Sequence, residues 1–135
     1  MTRLATPDIG AIWTNAHHES VKLTVPEKAS YLLGHIGPRL AAASLGLSDA
    51  RQIRRWSTSE DRIEPRQQLV AQRLDALYWI VRAIEAVYSP AVAARFVRSS
   101  NPQLDDAAPL VALAEAGEPS EITRVVAATR AFLEG

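Results

Sequence analysis

Three arginines and a glutamine crowd into five consecutive positions, Arg51-Gln-Ile-Arg-Arg55. A guanidinium presents a planar fork of donors that meets a phosphate or a guanine edge two bonds at a time, and a glutamine amide pairs in the same way with adenine. Arg51, Gln52, Arg54 and Arg55, with Arg39 and Ser48 upstream, are therefore the candidate contacts to DNA. A second reading stands beside this one: a plain helical hairpin whose arginines are solvated or salt-bridged, in a chain whose cations are nearly all Arg. Other chemistry is missing. His17, His18 and His35 show no HExxH spacing, no cysteine accompanies them, and no carboxylate stands at metal-ligand spacing on a helix face, so they read as solvated or core histidines. There is no nucleophile elbow, phosphate-cradling glycine loop or dinucleotide fingerprint, and the six glycines fall at helix ends and turns. Trp56, Tyr78 and Trp79 sit within helical periods, where packing explains them better than base stacking. The expectation is a protein that is no enzyme and holds no cofactor and no metal.

The totals bound what can position those side chains. With 135 residues, 47% of them apolar, the chain can bury one real core, and two large domains are excluded. It has no cysteine, which fits a reducing cytoplasm and leaves disulfides and thiol chemistry out. No apolar run approaches the roughly 20 residues a membrane helix needs. Pro7 and Asp8 interrupt the place where a signal peptide carries its apolar stretch. A cytoplasmic protein without membrane contact is expected. The formal charge is zero but unevenly spread: residues 38–66 carry six Arg against four acids, residues 105–135 six acids against two Arg. The middle can face an anion and the tail cannot.

The periodicity is helical throughout, so the fold class expected is all-α. Residues 1–23 show no sustained period and read as a flexible arm or one short helix. Thr24-Val-Pro-Glu27 is a capping box that opens a helix to about His35, with Ala29, Leu32, Leu33 and Ile36 on its buried stripe. Gly37-Pro38 ends it and starts the next, Pro38 to about Leu45. Gly46 can take the left-handed conformation that closes this helix, and Ser48 can cap a third, from Asp49 to about Trp56. Residues 57–65 form a polar loop, followed by the longest helix, Pro65 to about Tyr88. Val70, Leu74, Leu77, Val81, Ile84 and Tyr88 line one side of it, with Leu69, Ala76, Ile80 and Val87 beside them. That second line is either a dimer seam or is covered by the chain's own later helices. Ser89-Pro90 opens a helix with Val92, Phe96 and Val97 inward, Pro109 opens another to about Ala116, and the last runs from near Pro119 to one residue short of Gly135.

Residues 24–64 read as a helix-turn-helix part, in which the run Leu40 to Trp56 meets each demand of a motif whose second helix enters the major groove. Ala42 is small where the helices cross, Gly46 makes the turn, and Leu45, Leu47, Ile53 and Trp56 lock the pair to the core. Residues 65–135 then form a long helix and a smaller C-terminal helical module.

That C-terminal part carries a resemblance. The run Arg95-Phe-Val-Arg-Ser-Ser-Asn-Pro-Gln-Leu104, then Pro109-Leu110 and the helix from Val125 to Leu133, resembles the toxin-binding domain of the MbcA/ParS/Xre antitoxin family. The upstream helix-turn-helix resembles that family's Xre-like part. The likeness covers roughly residues 26 to 133. One departure is Asp105-Asp106, where related sequences tend to carry glycine shortly after the leucine. The resemblance implies a type II antitoxin whose partner is a RES-domain toxin that degrades NAD. The toxin would be obstructed at its active site, the chain would form a homodimer or a hetero-oligomer with the toxin, and operator DNA would be a further partner. It places the toxin contacts on Asn101, Pro102, Leu104, Pro109, Leu110, Arg130, Phe132, Leu133, Glu134 and Gly135. Phe132 and Leu133 would be apolar anchors and the acidic end would suit a cleft that accepts an anionic dinucleotide. A stand-alone transcriptional regulator of similar fold is the alternative, and an ordinary terminal helix with Phe132 and Leu133 in its own core is the plainer reading of that end.

Overall fold

The computed structural model describes residues 7–58, 63 and 67–135. The chain is all-helical, with no strand among the described residues. Most of the loop expected over residues 57–65, and the first six residues, lie outside them. The elements are α1 (Ile9–Lys22), α2 (Val25–His35), α3 (Pro38–Leu45), α4 (Arg51–Thr58), α5 (Gln68–Val87), α6 (Pro90–Arg98), a 3₁₀ turn (Pro102–Leu104), α7 (Pro109–Glu115) and α8 (Pro119–Glu134).

Helix α5 organises the packing. Leu74, Leu77, Ile80, Val81 and Ile84 are fully buried along it, and α1, α2, α3, α6 and α8 all lie against it. Truncating one such leucine or isoleucine to alanine typically costs about 2–5 kcal/mol. The second apolar line, left open between a dimer seam and the chain's own helices, is covered from within. Ala76 and Ile80 are buried, Leu69 and Val87 half-buried, and α1 and α8 flank Ala76 on either side.

Of the two readings of residues 1–23, the short helix is the one found, over Ile9–Lys22. Asp8 accepts the Ala11 N–H at 3.0 Å and so caps a helix of 14 residues. Trp13 and Ala16 are buried on its inner face, with Ser20 one turn on. The Trp13 and Trp79 rings meet with centroids 4.6 Å apart, and the Trp79 indole donates to the Trp13 carbonyl at 3.0 Å. Glu19 accepts from the Tyr78 hydroxyl at 2.7 Å and from Arg82 Nε at 3.1 Å. The buried Lys28 ammonium on α2 donates to the Ser20 carbonyl at 2.9 Å and pairs with Asp75 on α5. The face of α1 is thus half apolar and half polar. Its polar members find partners on α2 and α5, which is why hydropathy alone leaves it without a period.

The local signals further on act as their chemistry dictates. Thr24 Oγ1 accepts the Glu27 N–H at 3.3 Å while Glu27 accepts the Thr24 N–H at 3.0 Å. The hydrogen bond from the Thr24 backbone N–H, and after it one from the Thr24 hydroxyl, hold the Glu27 carboxyl below the usual carboxylate range. Gly46 has φ of 77° at the end of α3, and its N–H reaches back to the Ala42 and Ala43 carbonyls. Arg73 of α5 then donates to the Leu45 carbonyl at 3.1 Å and to the Ala116 carbonyl at 2.8 Å, satisfying the ends of α3 and α7 with one cation.

Two boundaries differ from expectation. Helix α4 begins at Arg51, and its first N–H is accepted by Asp49 Oδ1 at 2.8 Å, so Asp49 does the capping expected of the exposed Ser48. It is described as far as Thr58, past the expected Trp56, and over that last turn the Ser57 and Thr58 hydroxyls donate to the Arg54 carbonyl at 2.7 and 3.4 Å. Helix α5 ends at Val87: Tyr88 leaves helical geometry, with φ −124° and ψ −97°, and points outward instead of continuing the inner stripe.

Candidate functional site

On α4, Ile53 and Trp56 are buried at 0% and 1% exposure against the rest of the chain, which turns Arg51, Arg54 and Arg55 outward. Arg39 projects from the first turn of α3 and is also exposed. The turn between the two helices separates two shallow depressions. One, of about 480 Å³, is lined by Arg39 and Arg54 among others; the second, of about 250 Å³, by Arg51, Gln52 and Arg55. Leu47, Ser48 and Asp49 border both. The six residues singled out in the sequence therefore meet around one turn. Arg39 and Arg54 have no side-chain partner among the described residues, so their cations remain available to an anion.

Asp49 was missed as a member of this group. It stands at the centre of the basic surface and holds Arg51: Oδ2 accepts from Nε at 3.2 Å and from Nη2 at 2.9 Å. The hydrogen bond from Arg51 lowers the Asp49 carboxyl from its ordinary range and raises the Arg51 guanidinium in turn. The signal was present in the sequence as an Asx residue two positions before an arginine that opens a helix.

The second set of residues behaves less uniformly. Asn101 Oδ1 accepts the Gln103 N–H at 2.9 Å, and the Asn101 backbone accepts from Leu104 at 2.9 Å and Asp106 at 3.0 Å. Pro102 opens the 3₁₀ turn, and Leu104 plugs it into the core. Asp105 and Asp106 both adopt left-handed backbone, φ 56° and 67°, where the resemblance places glycine nearby. Arg124 of α8 fastens the loop, donating to the Gln103 carbonyl and to Asp105, each at 3.1 Å.

Leu104, Pro109 and Leu133, assigned to partner contacts, are buried in this chain: Leu133 is 5% exposed. Each is apolar and lies on the inward side of its element, so hydrophobic burial takes it first. Asn101 is spent largely on the loop's own backbone, and Leu110 is half-buried at the start of α7. Pro102, Arg130, Phe132, Glu134 and Gly135 are exposed. Phe132 is 38% exposed, with its ring 4.7 Å from Phe96 and 5.8 Å from Tyr88; Tyr88 is 52% exposed. Arg130 Nε donates to Glu134 at 2.8 Å one turn along α8. Tyr88 is thus the aromatic that sequence reasoning placed inward and the structure places on the surface beside Phe132.

The histidines stay apart from both surfaces. His17 lies tilted against Trp79 with ring centroids 4.4 Å apart, His18 is exposed, and His35 lies flat on Tyr31 at 3.9 Å with Nδ1 2.6 Å from Glu85. Among the described residues no three His, Asp or Glu side chains come together to hold a metal, and no helix is long and apolar enough to cross a membrane. No family model matches the chain, and neither a curated protein nor a solved structure matches it.

Proposed function

We propose that this chain is a non-catalytic antitoxin of a type II toxin–antitoxin pair. Its C-terminal surface binds and occludes the active site of a RES-type, NAD-degrading toxin, and its α3–α4 surface binds operator DNA. The observation that carries the first part is Phe132. It is a large ring left 38% exposed, yet packed on the buried Phe96 and flanked by the exposed Tyr88, so it is presented in a restricted position. Pre-positioned aromatic side chains are the commonest anchors of protein interfaces, because little entropy is lost when they are buried. Glu134 beside it adds negative charge suited to a cleft that takes an anionic dinucleotide. The Asn101-Pro102-Gln103-Leu104 and Pro109-Leu110 resemblance supplies the class of partner, with Leu104, Pro109 and Leu133 building the surface from beneath. The four arginines around the α3–α4 turn support the second part.

The test is growth rescue against the co-expressed toxin. Because Leu133 belongs to the core, point substitutions at Phe132 are cleaner than removing residues 132–135. Phe132→Asp is expected to keep the helical circular dichroism of the parent and to lose rescue, with toxin no longer retained in a pull-down. Full rescue by that variant would sink the plug. The second reading, a stand-alone regulator, is favoured by the contacts Phe132 already makes within its own chain. It predicts that no toxin-like enzyme is retained by the parent protein, while a salt-sensitive shift of operator DNA persists.

A further inference from the structure

A carboxylate set between two basic depressions repels an incoming phosphate, and the bonds of Asp49 show what it does there. Oδ1 accepts the first free N–H of α4, from Arg51, at 2.8 Å; Oδ2 accepts Nε and Nη2 of the same arginine at 3.2 and 2.9 Å. Both oxygens are spent on one residue. The Arg51 side chain is 86% exposed, and an arginine that free would normally roam among rotamers and lose that freedom on binding. Here it is already held by its inner edge, Nε and Nη2. The outer edge, Nη1 with the second Nη2 hydrogen, has no partner among the described residues, and its two parallel donors match O6 and N7 of guanine. Arg51 is also the first residue of α4, the position from which a helix entering a major groove presents side chains to base edges.

We propose that Asp49 is a positioning residue that aims the outer edge of Arg51 at a guanine in a DNA major groove, which makes this pair specificity-determining. Arg39 and Arg54, without side-chain partners among the described residues, hold phosphates on the other side of the turn. The inference rests on the DNA part of the function proposed above and goes further, since it assigns one base and two different tasks to neighbouring arginines. If Asp49 were only a helix cap, its negative charge would weaken all DNA binding equally and carry no base preference.

The experiment uses the full chain. Duplexes are selected from a randomised pool by the parent protein, and affinities for the best duplex, for versions altered at each guanine, and for an unrelated duplex are then measured. Asp49→Ser keeps an acceptor for the Arg51 N–H and removes the second oxygen. It is expected to lower the preference for guanine at one position on the order of tenfold, the scale of one bidentate base contact, while binding to the unrelated duplex holds or strengthens. Arg51→Lys is expected to lose the same preference, and the double variant to lose no more than either alone. Asp49→Asn, which caps well but turns an amide donor towards the guanidinium, should behave as Asp49→Ser does and covers the case in which the serine variant misfolds. Full guanine preference in both Asp49 variants, or a further loss in the double variant, overturns the proposal. Binding by the parent without any guanine preference overturns it while leaving DNA binding intact. A parent chain that shifts no duplex at low salt removes the DNA reading and this inference together.

Discussion

Replacing Gly46 by alanine is expected to cost about 2–4 kcal/mol, although the substitution adds a single methyl group at an exposed position. Gly46 sits at φ 77°, a conformation that charges any residue with a Cβ about 1–2 kcal/mol. The added carbon would lie 2.9 Å from Arg73 Nη1 and 3.2 Å from the Ala114 carbonyl oxygen. A guanidinium tip can usually swing aside, but this one is held by the Leu45 and Ala116 carbonyls, and a hydrogen bond from a charged donor contributes about 1.5–3 kcal/mol. Moving it weakens at least one of those bonds and exposes the end of α3 or α7. The check is equilibrium urea unfolding, with the midpoint falling and the slope unchanged. Arg73→Met in the same assay should cost about 1–3 kcal/mol, and the double variant should cost less than the sum, because the clash disappears with the guanidinium. A loss below about 1 kcal/mol for Gly46→Ala would refute the strain, and strict additivity with Arg73→Met would refute the clash with the guanidinium. Since Gly46 also sets the turn before Ser48 and Asp49, a folded Gly46→Ala protein should bind duplex DNA less tightly than its parent.

The opposite substitution is expected to help elsewhere. Asp106→Gly removes a side chain without a partner among the described residues, at φ 67°, and should raise the thermal midpoint through a gain of about 0.5–1 kcal/mol in stability. Asp105→Gly should gain less, because it also breaks the exposed pair with Arg124, which contributes at most about 1 kcal/mol. Two tyrosines should make folding sensitive to alkali. Burial, followed by hydrogen bonds to Glu85 and Glu19, raises the Tyr31 and Tyr78 hydroxyls well above their ordinary value. Below pH of about 10 both are protonated whether the chain is folded or not, and their contribution is complete. Above it the unfolded chain releases protons that the folded chain keeps, so stability falls by up to about 1.4 kcal/mol per pH unit for each. Thermal melts between neutral and strongly alkaline pH would show this decline; a flat profile, or one unchanged in Tyr31→Phe and Tyr78→Phe, would contradict it.

The elements that could be read in advance are those whose boundaries are written in backbone chemistry. Thr24 with Glu27, Gly37-Pro38, Gly46, Ser89-Pro90 and Pro119 each satisfy or remove an orphan hydrogen-bonding group. That requirement holds whatever the helix later packs against. Helix α1 stays open in the sequence between an arm and a short helix because its inner face is completed by partners far along the chain: Trp13 by Trp79, Glu19 by Tyr78 and Arg82, the Ser20 carbonyl by Lys28. None of those pairings leaves a trace in local periodicity. Tyr88 escaped for the converse reason. It keeps the spacing of the α5 stripe but falls one residue beyond the helix, where the backbone has left helical geometry and the residue is 52% exposed.

The same distinction separates the two candidate surfaces. Arginines are costly to bury, so an arginine-rich helix face declares its outward direction from sequence, and the structure gathers Arg39, Arg51, Arg54 and Arg55 around one turn. Apolar residues declare nothing of the kind, since a leucine meant for a partner and a leucine meant for the core read alike. Leu104 and Leu133 are buried, whereas Phe132 is 38% exposed. Phe132 packs instead against the rings of Phe96 and Tyr88 at the surface. An aromatic ring packed on other rings at the surface is a better guide to a protein contact than the apolar character of the helix that carries it. For that reason Phe132→Asp, more than any change at Leu133, separates partner binding from folding.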